Sequence, residues 1–262
     1  MRRYTTVHPL FMSFYSRSLY RDVGKNWRKI SFLYLLLLTA VCTIPFVFKT
    51  HSLVSGYLSR EGPKIVEQIP VITITKGTVS VDKPMPYVIK DPESNAPLAI
   101  IDTTGQVTSL KGSPAIALLT KRELIIRRGP TETWPYDLSE IENLVIDRSR
   151  MYDWMETFVG TFAYVLYPLA LLSSFLFRTI LALCLAVSGM FFARRLKVSL
   201  GYRACLSLAI VSMTPTILLN TLHTYLGMRI PLSWLISTLI SLGYLYFAVK
   251  ANSGPETSET VP

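Results

Sequence analysis

Four stretches of this chain are almost wholly apolar, and a mixed polar block, residues 50–153, separates the first from the rest. The longest runs from Thr157 to Ala193, 37 residues with one charge, Arg178. A straight helix of that length would extend about 55 Å, well past the roughly 30 Å hydrocarbon core of a bilayer. It therefore crosses twice, or once with a long apolar lead-in. Ile30–Phe48 gives 19 residues without a charge. Leu200–Leu226 and Pro231–Val249 complete the set. Pro45 is expected to kink or end the first span.

Within the polar block the period shortens. Leu53, Val54, Tyr57 and Leu58 fit a short amphipathic helix closed by Gly62-Pro63. Strand signals follow at Val71–Thr75, Thr78–Val81, Tyr87–Ile89, Leu98–Asp102, Ile116–Thr120 and Leu124–Arg127. Gly77, Lys83-Pro84, Asp91-Pro92, Gly105, Gly112 and Gly129-Pro130 punctuate them. The pattern predicts one small antiparallel sheet. Ser139-Glu140-Ile141-Glu142 matches a capping box, and Ile141, Leu144, Val145 and Tyr152 continue it at helical spacing. A helix leading into the long apolar stretch is expected there.

The fold class that follows is an α-helical membrane bundle of about four spans, with a β-rich α+β insert between spans 1 and 2. The expected divisions are a basic segment 1–29, a first span 30–49, an extracytoplasmic domain 50–153, a bundle 154–250 and a disordered polar tail 251–262. Before the first span, Phe11, Phe14, Tyr15 and Leu19 recur at helical spacing behind Pro9. Arg17, Arg21, Lys25, Arg28 and Lys29 surround them, so an interfacial helix on an anionic leaflet is expected. The long basic lead-in and the lack of a small-x-small site favour an uncleaved span over a signal peptide.

Charge decides the topology. The net charge is +10, yet thirteen of the seventeen acids lie in residues 51–153, so the basic excess flanks apolar runs. That is the pattern of positive-inside membrane orientation and argues against a nucleic-acid partner. Four crossings leave Arg194, Arg195, Lys197, Arg203 and Lys250 on the cytoplasmic side with both termini. Five crossings place them outside and are disfavoured. Trp154, Tyr225 and Trp234 then fall near the outer interface, and Trp27 and Tyr202 near the inner one. Cys42, Cys184 and Cys205 all lie in apolar runs, so the insert has no disulfide framework.

Several short landmarks carry a resemblance. They are Phe14-Tyr15 with Leu19-Tyr20, Ile44-Pro45, Ile100-Ile101-Asp102-Thr103-Thr104-Gly105, Arg194-Arg195-Leu196 with Gly201-Tyr202-Arg203, and Thr214-Pro215-Thr216. Their order resembles a bacterial family of uncharacterised multi-pass membrane proteins in the Yip superfamily. The resemblance implies a membrane-embedded, non-catalytic class with a variable extracytoplasmic insert. It also implies the bacterial inner membrane as location.

Candidate chemistry is sparse. Ser212, Thr216, Asn220 and Thr224 recur every four residues, one polar stripe on the third span, interrupted by Pro215 with His223 nearby. Such a stripe packs against another helix or lines a pathway. Arg178 snorkels, binds a lipid phosphate or pairs with a partner protein. Asp102-Thr103-Thr104-Gly105 reads as a turn, since aspartyl-phosphate chemistry needs a phosphate-binding fold around it. His8, His51 and His223 are far apart, and no P-loop, nucleophile elbow or dinucleotide motif is present. No cofactor, metal or catalytic residue is expected. The expected partners are membrane lipids and a protein partner or second copy. An accessory, sensory or scaffold protein is the first expectation, an oligomeric transporter or permease subunit the second, and a membrane enzyme ranks behind both.

Overall fold

The computed structural model describes residues 4–27, 30–130, 132–228 and 231–253. Arg28, Lys29, Arg229 and most of the expected tail lie outside these. Along the chain come α1 (Pro9–Met12), α2 (Arg17–Asn26), α3 (Ile30–Gln68), β1 (Ile72–Thr75), β2 (Thr78–Val81), β3 (Tyr87–Lys90), β4 (Pro97–Ile101) and β5 (Ala117–Leu119). They are followed by β6 (Glu123–Arg127), β7 (Thr133–Asp137), β8 (Asn143–Ile146), α4 (Arg148–Arg195), α5 (Tyr202–Ser212), α6 (Thr214–Leu226) and α7 (Ser233–Ala251). Two compact units result, one of residues 1–50 with 163–262 and one of residues 51–162.

The first unit is helical, and α5 is its axis. Leu208, Ala209, Ile210 and Val211 are successive and all fully buried, so this helix is enclosed on every side. Against it pack α2 and α7. The stretch α4 behaves oppositely. Its buried residues Ala182, Leu185, Ala186, Gly189 and Ala193 form one narrow stripe, while Leu169, Leu172, Leu176, Phe177, Ile180, Val187 and Phe191 are exposed. Among the described residues four helical stretches, Ile30–Gln68, Arg148–Arg195, Tyr202–Leu226 and Ser233–Ala251, are long and apolar enough to cross a membrane.

The amino-terminal segment divides: α2 joins this core, while Phe11, Phe14 and Tyr15 before it stay exposed. Leu19, Tyr20, Val23 and Trp27 are all fully buried. Ser16 caps α2, its hydroxyl accepting the Leu19 N–H at 3.3 Å. Arg21 donates to the Ala251 carbonyl at 2.6 Å, placing a cation at the α7 carboxyl terminus. The residues of the expected amphipathic run thus separate, Leu19 into the core against α5 and α7 and the three aromatic ones outside it.

Two further corrections concern helix limits. Neither Pro45 nor Gly62-Pro63 ends the first long helix, which continues to Gln68. A Cβ at position 62 would collide with the Met155 sulfur, so that flexible side chain would have to move aside for any larger residue there. The third span breaks instead, at Met213, into α5 and α6. Pro215 lies in the first turn of α6, where its missing N–H costs nothing.

The second unit holds two sheets where one was expected. One has the order β2-β1-β8, the other β3-β4-β5-β6-β7. Strands β4 and β5 run parallel, with Ile100 opposite Leu118. The other pairs are antiparallel. The capping-box helix does not form. Ser139 turns with Asp137, its hydroxyl donating at 2.9 Å, and residues 143–146 pair with β1 as a strand. Leu144 and Ile146 are half-buried while Asn143 and Val145 are exposed, a period of two that a helical reading hid. Asp147 then caps α4, accepting the Arg150 N–H at 2.9 Å. Strand β7 escaped the sequence reading because it is exposed at every position and contains Pro135.

Candidate functional site

In the helical unit, α3, α4 and α6 enclose a polar cavity of about 180 Å³. Arg178, Ser174, Thr43, Asn220 and Thr224 line it, with Cys42 and Phe46 as its apolar wall. The Arg178 Nη1 is buried without a hydrogen-bond partner. Beside the cavity the Lys49 ammonium donates to the Thr224 carbonyl at 2.8 Å, so a second cation stands at the α6 carboxyl terminus. Thr43 and Thr221 already give their hydroxyl protons to the Thr39 and Ile217 carbonyls, both at 2.8 Å.

The polar stripe divides at the Met213 break. Ser212 belongs to α5 and donates back to the Ala209 carbonyl at 2.8 Å. Thr216 meets Ser241 of α7 at 2.9 Å. Asn220 both donates to and accepts from Ser237, at 2.9 and 3.1 Å. Thr224 faces the Arg178 cavity. The structure thus joins Arg178, Asn220 and Thr224 at one place and leaves Ser212 elsewhere. Ser237 and Ser241 escaped the sequence reading, although their own four-residue spacing matches that of Thr216 and Asn220.

The β-rich unit has a separate cleft of about 430 Å³. Glu67, Asp82, Lys83, Asp147 and Arg148 bring both signs of charge to it, beside Tyr87. Tyr87 is fixed there by its hydroxyl, which donates to the Gln68 carbonyl at 2.8 Å, and Arg148 donates to the Glu67 carbonyl at 3.1 Å. Asp102 stands apart from this cleft. Its buried carboxylate accepts the Thr104 N–H and hydroxyl at 2.9 and 2.6 Å, and the Val107 N–H. Burial pushes the Asp102 carboxyl up, but these donors outweigh it and hold it below the ordinary carboxylate value. Among the described residues no three His, Cys, Asp or Glu side chains converge as metal ligands.

One match to a family model covers the β-rich unit and most of the helical one. Residues 7–249 match the family described as Protein of unknown function (DUF1189). The chain belongs to the DUF1189 family. No curated protein and no solved structure matches it. For this DUF1189 protein, then, residue roles rest on the geometry just described.

Proposed function

We infer that this DUF1189 protein is a multi-pass protein of the bacterial inner membrane, a non-enzymatic accessory, sensory or scaffold protein whose extracytoplasmic insert binds a partner or envelope component. The observation that carries this reading is the mixed-charge cleft of the β-rich unit, with Lys83 and Asp82 exposed at its edge. Its 430 Å³ is within the range of sites that hold a small ligand or the side chains of a docked peptide. The four apolar helices serve as the anchor. The basic residues flanking them favour a cytoplasmic location for both termini. The sequence landmarks support placing the family in the Yip superfamily. A photo-crosslinking residue at position 83 in intact cells tests the partner reading. A reproducible adduct that is lost when Asp82 and Asp147 are both changed to Lys is expected. No adduct above that of a crosslinker at exposed Gln106 would count against it.

A second reading, a transporter or permease subunit acting as an oligomer, draws on the α5–α6 break at Met213 and the paired hydroxyls along α6 and α7. Alanine at Thr216 and Asn220 together should then abolish a transport phenotype at unchanged membrane levels. A normal phenotype removes this reading.

A further inference from the structure

Cys42 borders two cavities. On one side is the polar cavity of Arg178. On the other a groove of about 320 Å³ runs along α3, lined chiefly by Leu10, Phe11, Leu37, Leu38, Val41 and Leu218. We propose that the two form one binding site for an anionic phospholipid, with the phosphate held by Arg178 and an acyl chain in the groove. The proposal rests on the membrane reading above.

Charge is the first argument. Within residues 4–50 and 163–253 the only carboxylate side chain is Asp22. It is engaged by the Trp27 indole N–H at 2.9 Å and the Asn26 amide at 2.7 Å. It also lies near the carboxyl end of α7, because Arg21 and Tyr20 beside it bond Ala251 and Asn252. Ser237, which marks the level of Asn220, is 14 residues earlier on α7, about 21 Å away along a helix. Among the described residues of this unit, therefore, no carboxylate neutralises Arg178, and a guanidinium among apolar helices is stabilised by an oxyanion it can hold in bidentate fashion. Lys49 adds positive potential at the same place.

Shape is the second. The head cavity offers the guanidinium with the Ser174 and Thr224 hydroxyls, and the adjoining groove offers an apolar bed for a flexible chain. An amphiphile with one charged end and one hydrocarbon end satisfies both. A partner helix, about 10 Å across with its side chains, does not fit a groove of this volume. Free phosphate would leave the groove empty.

Depth is the third. Cys42 is 12 residues beyond Ile30, about 18 Å along α3, and so lies in the half of the apolar run nearer Phe48. A headgroup at Arg178 with its chain running back along α3 toward Leu38 and Leu37 would have the orientation of a lipid in the leaflet at the Phe48 end.

The test is native mass spectrometry of the detergent-purified full chain titrated with phosphatidylglycerol, phosphatidylcholine, oleate and inorganic phosphate. Phosphatidylglycerol should bind about tenfold more tightly than phosphatidylcholine, because the choline ammonium offsets the phosphate charge that Arg178 and Lys49 attract. Arg178→Gln should erase that preference, and Arg178→Lys should restore part of it. Val41→Trp fills the groove from an exposed position, so the fold tolerates it even where Arg178→Gln is poorly expressed, and it should weaken phosphatidylglycerol binding about tenfold. Equal binding of the two phospholipids overturns the proposal. Oleate binding as tightly as phosphatidylglycerol overturns the phosphate assignment, and inorganic phosphate saturating the site at the same concentration overturns the chain assignment. Recovery of the chain in the soluble fraction without detergent would instead refute the membrane reading, which these arms keep separate from lipid preference.

Discussion

Gly77 provides the sharpest quantitative test of the β-rich unit. It and Lys76 form the two-residue turn between β1 and β2, with Thr75 opposite Thr78 and both turn residues at positive φ, 50° and 72°. Those angles are the type I′ geometry that matches strand twist. In Gly77→Ala the left-handed conformation alone costs about 1–2 kcal/mol. The new Cβ would also lie 2.6 Å from the Ser139 Cα, a backbone atom with no rotamer to yield. Relief requires the turn to move away from residues 138–142, endangering the Lys76 N–H to Glu142 carbonyl bond of 2.8 Å and the Gly77 N–H to Ile141 carbonyl bond of 3.0 Å. At about 1 kcal/mol net for each bond, the total is about 3–4 kcal/mol. Gly105→Ala is the control, because Gly105 has φ 86° but open space where its Cβ would be, so it should lose only about 1–2 kcal/mol. Hydrogen–deuterium exchange on the full chain in detergent reads both. The β1–β2 and 138–146 segments should exchange about 30-fold faster in Gly77→Ala than in Gly105→Ala, for a difference of about 2 kcal/mol. Equal exchange in the two variants would refute the steric argument and leave only the dihedral.

Three more outcomes follow from named contacts. Tyr34 and Thr214 are buried and share a hydroxyl–hydroxyl bond of 2.8 Å, so Tyr34→Phe should cost about 1–2 kcal/mol in a detergent melt, and adding Thr214→Val should recover most of it. Because the Asp102 carboxyl is held below its ordinary value, its ionised form stabilises the fold above about pH 4 and that contribution fades as pH falls through the folded value. Asp102→Asn should therefore be less stable than the parent at pH 7, with the gap narrowing below about pH 4; a gap independent of pH would contradict the assignment. For topology, single cysteines at 80, 199 and 258 in a background without the native three should react with an impermeant thiol reagent in intact cells at position 80 alone, and labelling at 199 and 258 would select five crossings.

Much of the architecture was legible because apolar period and turn residues are local signals. The four apolar stretches and the strand starts at Thr78, Tyr87, Leu98 and Leu124 could be read within a residue or two, since β-branched runs between Gly and Pro leave the backbone little choice. The polar stripe of the third span was equally visible, as was Arg178 as the lone charge of the longest apolar stretch. Tertiary structure decided what these features meet. Residues 143–146 carry both a helical and an alternating pattern, and pairing with β1 selected the strand. Pro45 and Gly62 look like stops, yet α3 continues to Gln68, and at Gly62 the Met155 sulfur occupies the space a side chain would need. Leu19 was read with Phe11, Phe14 and Tyr15 as one amphipathic face, and packing against α5 and α7 drew α2 into the core while leaving the three aromatic residues exposed. That Arg178 would share a cavity with Thr43 and Asn220, 135 residues before it and 42 after it, could not be read from any local pattern. Helix period says which residues share a face, while the packing of α3, α4 and α6 determines which faces meet.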